Sequence, residues 1–361
     1  MPTKYLSRAI LLIALIASTG YAAGPLNIGN RLELFVDRYL IDRMDGTQLV
    51  LQEPKDEGIA IRFDEHWEGL FCGYATVIKD GDLYRAYYRG WPGLDAQVVS
   101  CVAESNDGIR WTKPRLGLVD VNGSSENNVI LSGADIANFS PCLDTNPACS
   151  PVERYKAVAG GTSKNGMNGY TSPDGIRWTK LSKPVFNDRR ELIPHQASAF
   201  WSDLEDQYVM YYSIYPGSKR YLARAVAKDF KDWSGRIDVT YSDTGTSTPS
   251  TQLYASQADP YFRAPHIYVS LPMRLMAGRR AISDEDEKML DLAYFQAKDC
   301  SEPVLMTIRG GTVIDRTFLN ALIRPGIGPR NWTSRTNFPA RGVVRTGSNE
   351  MSIYVVQEYG K

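Results

Sequence analysis

Apolar and polar residues alternate along this chain in short runs separated by polar turns, which is the period-two pattern of half-buried strands. The fullest example runs Tyr74–Lys79, turns at Asp80-Gly81-Asp82, and returns as the tyrosine-rich Leu83–Tyr88. A similar unit recurs around Cys142–Asp144 with Arg154–Ala159, and again as Ala197–Trp201, a turn over Ser202–Asp206, and Gln207–Tyr212. A fourth instance is Ala264–Met273, read as one long strand or a bent pair, and a fifth is Arg341–Val344 with Met351–Gln357. Helical periodicity is nearly absent, and the best helix candidate is Ser283–Ala297 in an acidic stretch.

An internal repeat orders these units. Ser105-Asn106-Asp107-Gly108-Ile109-Arg110-Trp111-Thr112-Lys113-Pro114 returns as Ser172-Pro173-Asp174-Gly175-Ile176-Arg177-Trp178-Thr179-Lys180. A worn third copy is Lys228–Ser234, and a fainter fourth is Ile308–Asp315. Asp and Gly supply the backbone geometry of a tight turn between outer strands, and the Trp folds back to pack between neighbouring sheets. Turn chemistry suffices for Asp107 and Asp174, so neither is read as a catalytic acid. Five hairpin units with recurring turn-plus-Trp elements predict an all-β fold, a five-bladed β-propeller. A two-layer sandwich is the runner-up, and it leaves the repeated motif unexplained. Leu32–Asp42 reads as a strand that closes the last blade.

Composition narrows the setting. Lys4 and Arg8 precede the apolar run Ala9–Ser18, and Gly20-Tyr21-Ala22 offers small residues for a signal peptidase. Residues 1–22 therefore read as a cleaved leader, since a spanning helix needs roughly 20 apolar residues. Residues 23–361 then form one domain with a secreted or periplasmic destination and no membrane span after cleavage. The chain has 41 basic and 41 acidic residues, and losing Lys4 and Arg8 leaves a net charge of about −2. Without a basic cluster there is no electrostatic reason to bind nucleic acid. Of the five cysteines, Cys142 and Cys149 bracket a short loop and read as the best disulfide pair. Cys72 and Cys101 fall in strands of one sheet, which leaves Cys300 over. No cysteine spacing fits zinc, and only three histidines are present, so no metal or cofactor is expected.

Several stretches resemble the five-bladed propeller glycoside hydrolases, namely the invertase-like family 32 and the arabinanase and xylosidase family 43. The nearest likeness is to uncharacterised exported proteins, abundant in planctomycete-type bacteria, often labelled family-32-like. It is carried by Leu34-Phe35-Val36-Asp37, Trp67-Glu68-Gly69 with Gly73-Tyr74-Ala75, and Phe139-Ser140-Pro141 with Asp144-Thr145-Asn146-Pro147. It continues through Ala199-Phe200-Trp201, Pro260–Tyr268, Asp315-Arg316-Thr317-Phe318 and Asn331-Trp332 with Ser334–Asn337. The resemblance implies inner-strand acids from three successive blades facing a central funnel, two of them flanking a glycosidic bond. Here the inner strands start with Gly73-Tyr74-Ala75, Ser140-Pro141 and Pro194-His195-Gln196, so the acids are displaced; the nearest are Glu68, Asp144 and Glu191.

Carbohydrate is thus the expected partner. Glu68 and Asp144 are the candidate acid–base pair, and His195 is a candidate proton donor because imidazole titrates near neutrality. Arg263, His266, Arg335 and Asn337 are the candidate substrate-binding residues, with Arg274 and Glu358 as weaker members. The guanidinium and imidazole groups of Arg263 and His266 suit an anionic sugar, a uronate or a sulfated unit. Beside each of these stands a plainer reading: Glu68 as a solvated loop carboxylate, Asp144 as a turn cap, His195 as a packing histidine and Arg263 as the partner of Asp259. The displaced acids keep open a non-catalytic carbohydrate-binding propeller as the alternative to a glycosidase.

Overall fold

The computed structural model describes residues 24–69, 71–93, 95–162, 164–188, 191–193, 195–289, 299–326 and 335–359, with the backbone alone for Arg335. The leader, the Asn331-Trp332 stretch and the later part of the expected helix lie outside the described residues. The described part of that helix is α1, Asp284–Met289.

Strands fill the chain as antiparallel meanders. The first sheet is β1 (Gly73–Asp80), β2 (Leu83–Gly90), β3 (Val99–Ser105) and β4 (Val129–Ser132), in that spatial order. The second is β5 (Ser140–Leu143), β6 (Tyr155–Thr162), β7 (Gly166–Ser172) and β8 (Thr179–Phe186). The third is β9 (Ser198–Ser202), β10 (Gln207–Ile214), β11 (Tyr221–Ala227) and β12 (Ile237–Asp238).

The next unit is bent. After β13 (Thr240–Tyr241), the chain runs through β14 (Gln252–Tyr254) and β15 (Asp259–Tyr261), then β16 (Ala264–Ser270) and β17 (Met273–Met276). It returns through β18 (Cys300–Pro303), β19 (Met306–Ile308) and β20 (Val313–Asp315). Two sheets result, β13-β20-β19-β16-β15 and β14-β17-β18-β21, the last strand being Arg335–Thr336 in parallel register with β18. The expected strand Ala264–Met273 is therefore the bent pair. The final unit joins β22 (Phe338–Pro339) to β25 (Val355–Val356) and β23 (Val344–Arg345) to β24 (Met351–Ser352).

The first strand of each sheet lies innermost. β1 touches β5, β5 touches β9, β9 touches β15, and β1 also touches β22 and β23. Alternating side chains on the second strands explain the core. Met210 and Tyr212 of β10 pack with Val158 and Met167 of the second sheet, while Val209 and Tyr211 pack with Tyr268 and Ile308 of the fourth unit. Both faces of β10 are apolar because each meets a neighbouring sheet.

The repeated motifs are matching turns after the third strands. Asp107 Oδ1 accepts from the Ile109 and Arg110 amides at 2.8 Å, and Trp111 Nε1 donates to Gly108 O at 3.1 Å. Asp174 and Trp178 repeat this arrangement, as do Asp229 and Trp233. Those backbone amides hold the exposed Asp107 carboxyl down at about 2. Each turn leans on the preceding unit. Trp178 stacks edge-on against Phe139 at 4.9 Å and Tyr87 of the first sheet at 6.3 Å, while Trp111 meets Tyr354 of the last unit at 5.7 Å. The faint fourth copy, at Gly310, lies against Leu204 of the third sheet but lacks the aspartate cap.

Two expectations need correction. Leu32–Asp42 forms no strand. Leu34 and Val36 pack on Tyr261 and Ile267 of the fourth unit, and Glu33 and Asp37 both pair with Arg309. The segment lies against the fourth unit through these four side chains, leaving Leu32 and Phe35 exposed, and makes no backbone ladder. All five cysteines are free thiols. Burial pushes the Cys142 thiol up to about 12, beside Arg341, while Cys149 receives a hydrogen bond from Lys156 Nζ at 3.4 Å. Cys72 and Cys101 share one core.

Candidate functional site

Residues at the starts of the innermost strands crowd together at one end of the sheets. Four of them hold left-handed backbone conformations that non-glycine residues seldom adopt: Tyr74 (φ 49°), Asn138 (φ 56°), Ala255 (φ 51°) and Gln257 (φ 49°). Such strain persists only where surrounding contacts over-determine it, and it concentrates at ligand sites. Gln196 and Gln257 supply those contacts. Gln196 Nε2 donates to Tyr74 O at 3.0 Å and Thr76 Oγ1 at 2.9 Å. Gln257 Nε2 donates to Gln196 Oε1 at 2.8 Å and Pro339 O at 2.9 Å. Two amides thus stitch the first, third, fourth and last units together.

Between the same inner strands lies Arg341, whose side chain is 1% exposed. Its Nη2 donates to Ala199 O at 2.8 Å and Asp259 Oδ1 at 2.7 Å, and its Nη1 reaches Ser140 Oγ and Pro141 O at 3.3 Å. Its backbone bridges to β1, with Val77 N donating to Arg341 O at 2.8 Å. A single guanidinium therefore binds the inner strands of the second, third and fourth units.

Beside these residues lies a cluster of rings and cations, called the mouth below. Arg89 is fixed by Phe71 O, by Asn138 Oδ1 at 2.8 Å and by Tyr359 Oη at 2.6 Å, and it lies 4.6 Å from the Tyr74 ring and 5.2 Å from the Trp91 ring. Across from it, His195 and Tyr254 have ring centres 4.8 Å apart, and Phe338 packs on Tyr74 and Tyr359. Arg220 sits beside Tyr215 and Tyr254. His195 keeps part of its surface accessible, while its buried Nδ1 has no hydrogen-bond partner among the described residues. Burial, reinforced by the positive charges of Arg220 and Arg89, pushes its imidazole down to about 3. It is a neutral ring at physiological pH, so it offers hydrogen bonds and no charge. Asn337 is wholly buried nearby, its side-chain amide without partners among the described residues.

The structure thus brings His195 and Asn337 to the inner end of the sheets and places the other expected residues elsewhere. Glu68 is fully buried, accepting from Tyr88 Oη at 2.7 Å, Lys113 Nζ at 2.8 Å and Glu65 N at 2.9 Å. Asp144, also fully buried, accepts from Lys156 Nζ and Tyr208 Oη at 2.7 Å and caps Asn146 N at 3.0 Å. Burial alone would lower the pKa of Lys113 and Lys156, yet these carboxylates hold both above the ordinary lysine value. Glu68 lies in the turn before β1 and Asp144 just after β5, and the two carboxylates share no hydrogen-bond partner among the described residues. Arg263 is exposed in the turn between β15 and β16; Asp259, its expected partner, binds Arg341 instead. His266 faces Glu33 at 3.0 Å. The Arg335 side chain lies outside the described residues. Arg274 pairs with Glu302 away from the mouth. Glu191, the third displaced acid, pairs with Arg236.

Arg89, Arg220, Tyr254 and Arg341 were not singled out from sequence. A signal did exist for Arg89: it is a second arginine, after Arg85, at the end of the tyrosine-rich stretch Tyr84–Tyr88. Among the described residues, no cluster of His, Cys, Asp and Glu could hold a metal ion, and no helix is long and apolar enough to cross a membrane.

The fold has solved counterparts. A structure described as a glycoside hydrolase superposes with a TM-score of 0.52 at 13% identity, over 84% of this chain and 91% of that one. A second, described as a BT0996 RGII complex, gives 0.51 at 13% identity over the same shares. At this identity the likeness is one of fold. No family model matches the chain, and no curated protein matches it.

Proposed function

We propose that this protein is an exported five-bladed β-propeller that binds carbohydrate at the mouth formed by Tyr74, Arg89, His195, Arg220 and Tyr254, without cleaving it by a carboxylate pair. The blade count follows from taking the two bent sheets as one blade and the paired hairpins as the last. Export rests on the leader pattern of residues 1–22. The observation that carries the reading is the composition of the mouth. Partly exposed rings, Trp91, Tyr215 and Tyr359, surround two arginines and a neutral histidine. Such rings stack on sugar faces, and fixed donors read hydroxyl groups.

Most glycoside hydrolases use two carboxyl groups roughly 5 to 9.5 Å apart across the bond. Among the described residues, the side chains of the candidates Glu68 and Asp144 are fully buried, each held by a lysine, Lys113 and Lys156, with no partner in common. The test is a glycan array run alongside a reducing-sugar assay on the same saccharides. Binding without release, weakened at least about fivefold by Trp91→Ala or Tyr215→Ala, is the expected outcome, since one stacked ring contributes on the order of 1 kcal/mol or more. A second reading, a glycosidase, draws on the fold shared with a glycoside hydrolase. Release of product by wild-type protein would establish it in place of the first.

A further inference from the structure

Most enclosed arginines of this protein have a carboxylate. Arg224 pairs with Glu205, Arg274 with Glu302, Arg309 with Glu33 and Asp37, Arg316 with Asp243, and Arg341 with Asp259. Arg220 does not. Its guanidinium lies 5.4 Å from the Tyr215 ring and 5.6 Å from the Tyr254 ring, and among the described residues no group accepts a hydrogen bond from its side chain or pairs with its charge. Ring contact engages the face of a guanidinium and leaves its edge, with the donors that fit a carboxylate or sulfate in two-point fashion, free for a ligand. Around Tyr254 the charges are those of Arg220 and Asp299. The charged groups acting on His195 are Arg220 and Arg89, both positive. Arg89 spends its donors on Phe71, Asn138 and Tyr359, so its charge adds to the local field while Arg220 keeps the unused donors.

We infer that the mouth selects an anionic saccharide, a uronate or a sulfated sugar, whose acid group is held by the free edge of Arg220 beside the Tyr215 and Tyr254 rings. This inference rests on the carbohydrate-binding reading above and specifies its ligand class. Neutral His195 lies beside the bound anion, so the ligand raises its pKa toward the ordinary range.

Calorimetric titration with matched probes tests it: oligogalacturonates against their methyl esters, and sulfated against desulfated carrageenan oligosaccharides. The two pairs separate carboxylate from sulfate as the source of charge. In at least one pair the charged member should bind tenfold or more tightly, with affinity falling as salt rises. Arg220→Gln should erase that preference, weakening the charged member by tenfold or more relative to its neutral partner, and Arg220→Lys should keep part of it. Because Arg220 makes no side-chain hydrogen bond to a described residue, the variants should unfold at the same urea concentration as wild type. NMR of the three histidine rings should show one pKa rising on ligand addition and not in Arg220→Gln. Equal binding of charged and neutral members, or a preference that survives Arg220→Gln, overturns this inference and leaves carbohydrate binding standing. Failure of folded protein to bind any of the probes overturns both.

Discussion

Replacing Arg341 by Met keeps most of its length and apolar stem and removes only the guanidinium. That group makes an ion pair with Asp259 and donates to Ala199 O, Pro141 O and Ser140 Oγ. Removing one partner of a buried pair typically costs 3–5 kcal/mol. The Asp259 side chain is 36% exposed, so water can rehydrate the stranded carboxylate and the charge part of that cost shrinks. The carbonyls of Ala199 and Pro141 have no such access, and an orphaned buried acceptor costs roughly 1–3 kcal/mol. A loss of about 3 kcal/mol follows. Urea unfolding at pH 7 should register it as a midpoint lowered by about 1 M or more, using a slope of about 3 kcal/mol/M at most. Asp259→Asn should cost less, about 1 kcal/mol, because the amide oxygen still accepts. In the double variant the two costs should not add, with a coupling above about 0.5 kcal/mol. An Arg341→Met loss below about 1 kcal/mol, or strictly additive behaviour, would refute the idea that this guanidinium pins the inner strands.

Other expectations bear on the site and its supports. Glu68→Gln strands Lys113 beside the exposed Asp64 and should lower stability by about 2–3 kcal/mol while saccharide affinity stays within twofold of wild type; a loss of binding without a loss of stability would return Glu68 to the site. For His195 the sign follows from its lowered pKa: the unfolded ring takes a proton near 6.5, the folded one only near 3. Its contribution is complete above about pH 6.5 and is lost as pH falls towards 3, at up to about 1.4 kcal/mol per unit. Urea unfolding at pH 7, 6 and 5 should therefore show a shallower decline in His195→Gln than in wild type, and parallel curves would contradict the assignment. At Gly175 (φ 75°) an added methyl would lie 2.5 Å from Tyr87 Oη and 3.1 Å from Arg85, so Gly175→Ala should cost about 2–3 kcal/mol. Gly81→Ala (φ 61°), with open space around it, should cost only about 1 kcal/mol in the same unfolding assay.

The repeated turns were legible because their chemistry is local: a capping aspartate, a residue in the left-handed region and a returning tryptophan occupy about seven consecutive positions. The third copy shows what local chemistry can absorb, since Phe230 (φ 65°) stands where Gly108 and Gly175 stand and offsets the backbone strain with a buried ring. Leu32–Asp42 misled because alternation reports which faces are buried and says nothing of whether a neighbouring strand is there to pair with. Glu68 and Asp144 misled in another way. A carboxylate near aromatic residues looks the same in sequence whether a sugar or a lysine meets it, and Lys113 lies 45 positions from Glu68. The reach of Arg341 across three inner strands depends on tertiary proximity alone. His195 and Asn337 stand out in sequence because they are polar residues just ahead of the apolar strands β9 and β22.

The bent fourth unit has a mechanical consequence. Tyr254, which walls the mouth, and Asp259, which holds the axial guanidinium, are five positions apart on one stretch of backbone whose intervening Ala255 and Gln257 sit in left-handed conformations. One short run of backbone therefore sets the position of both the Tyr254 ring and the Asp259 carboxylate, so a substitution that relaxes Ala255 or Gln257 should disturb the contacts of His195 and of Arg341 together.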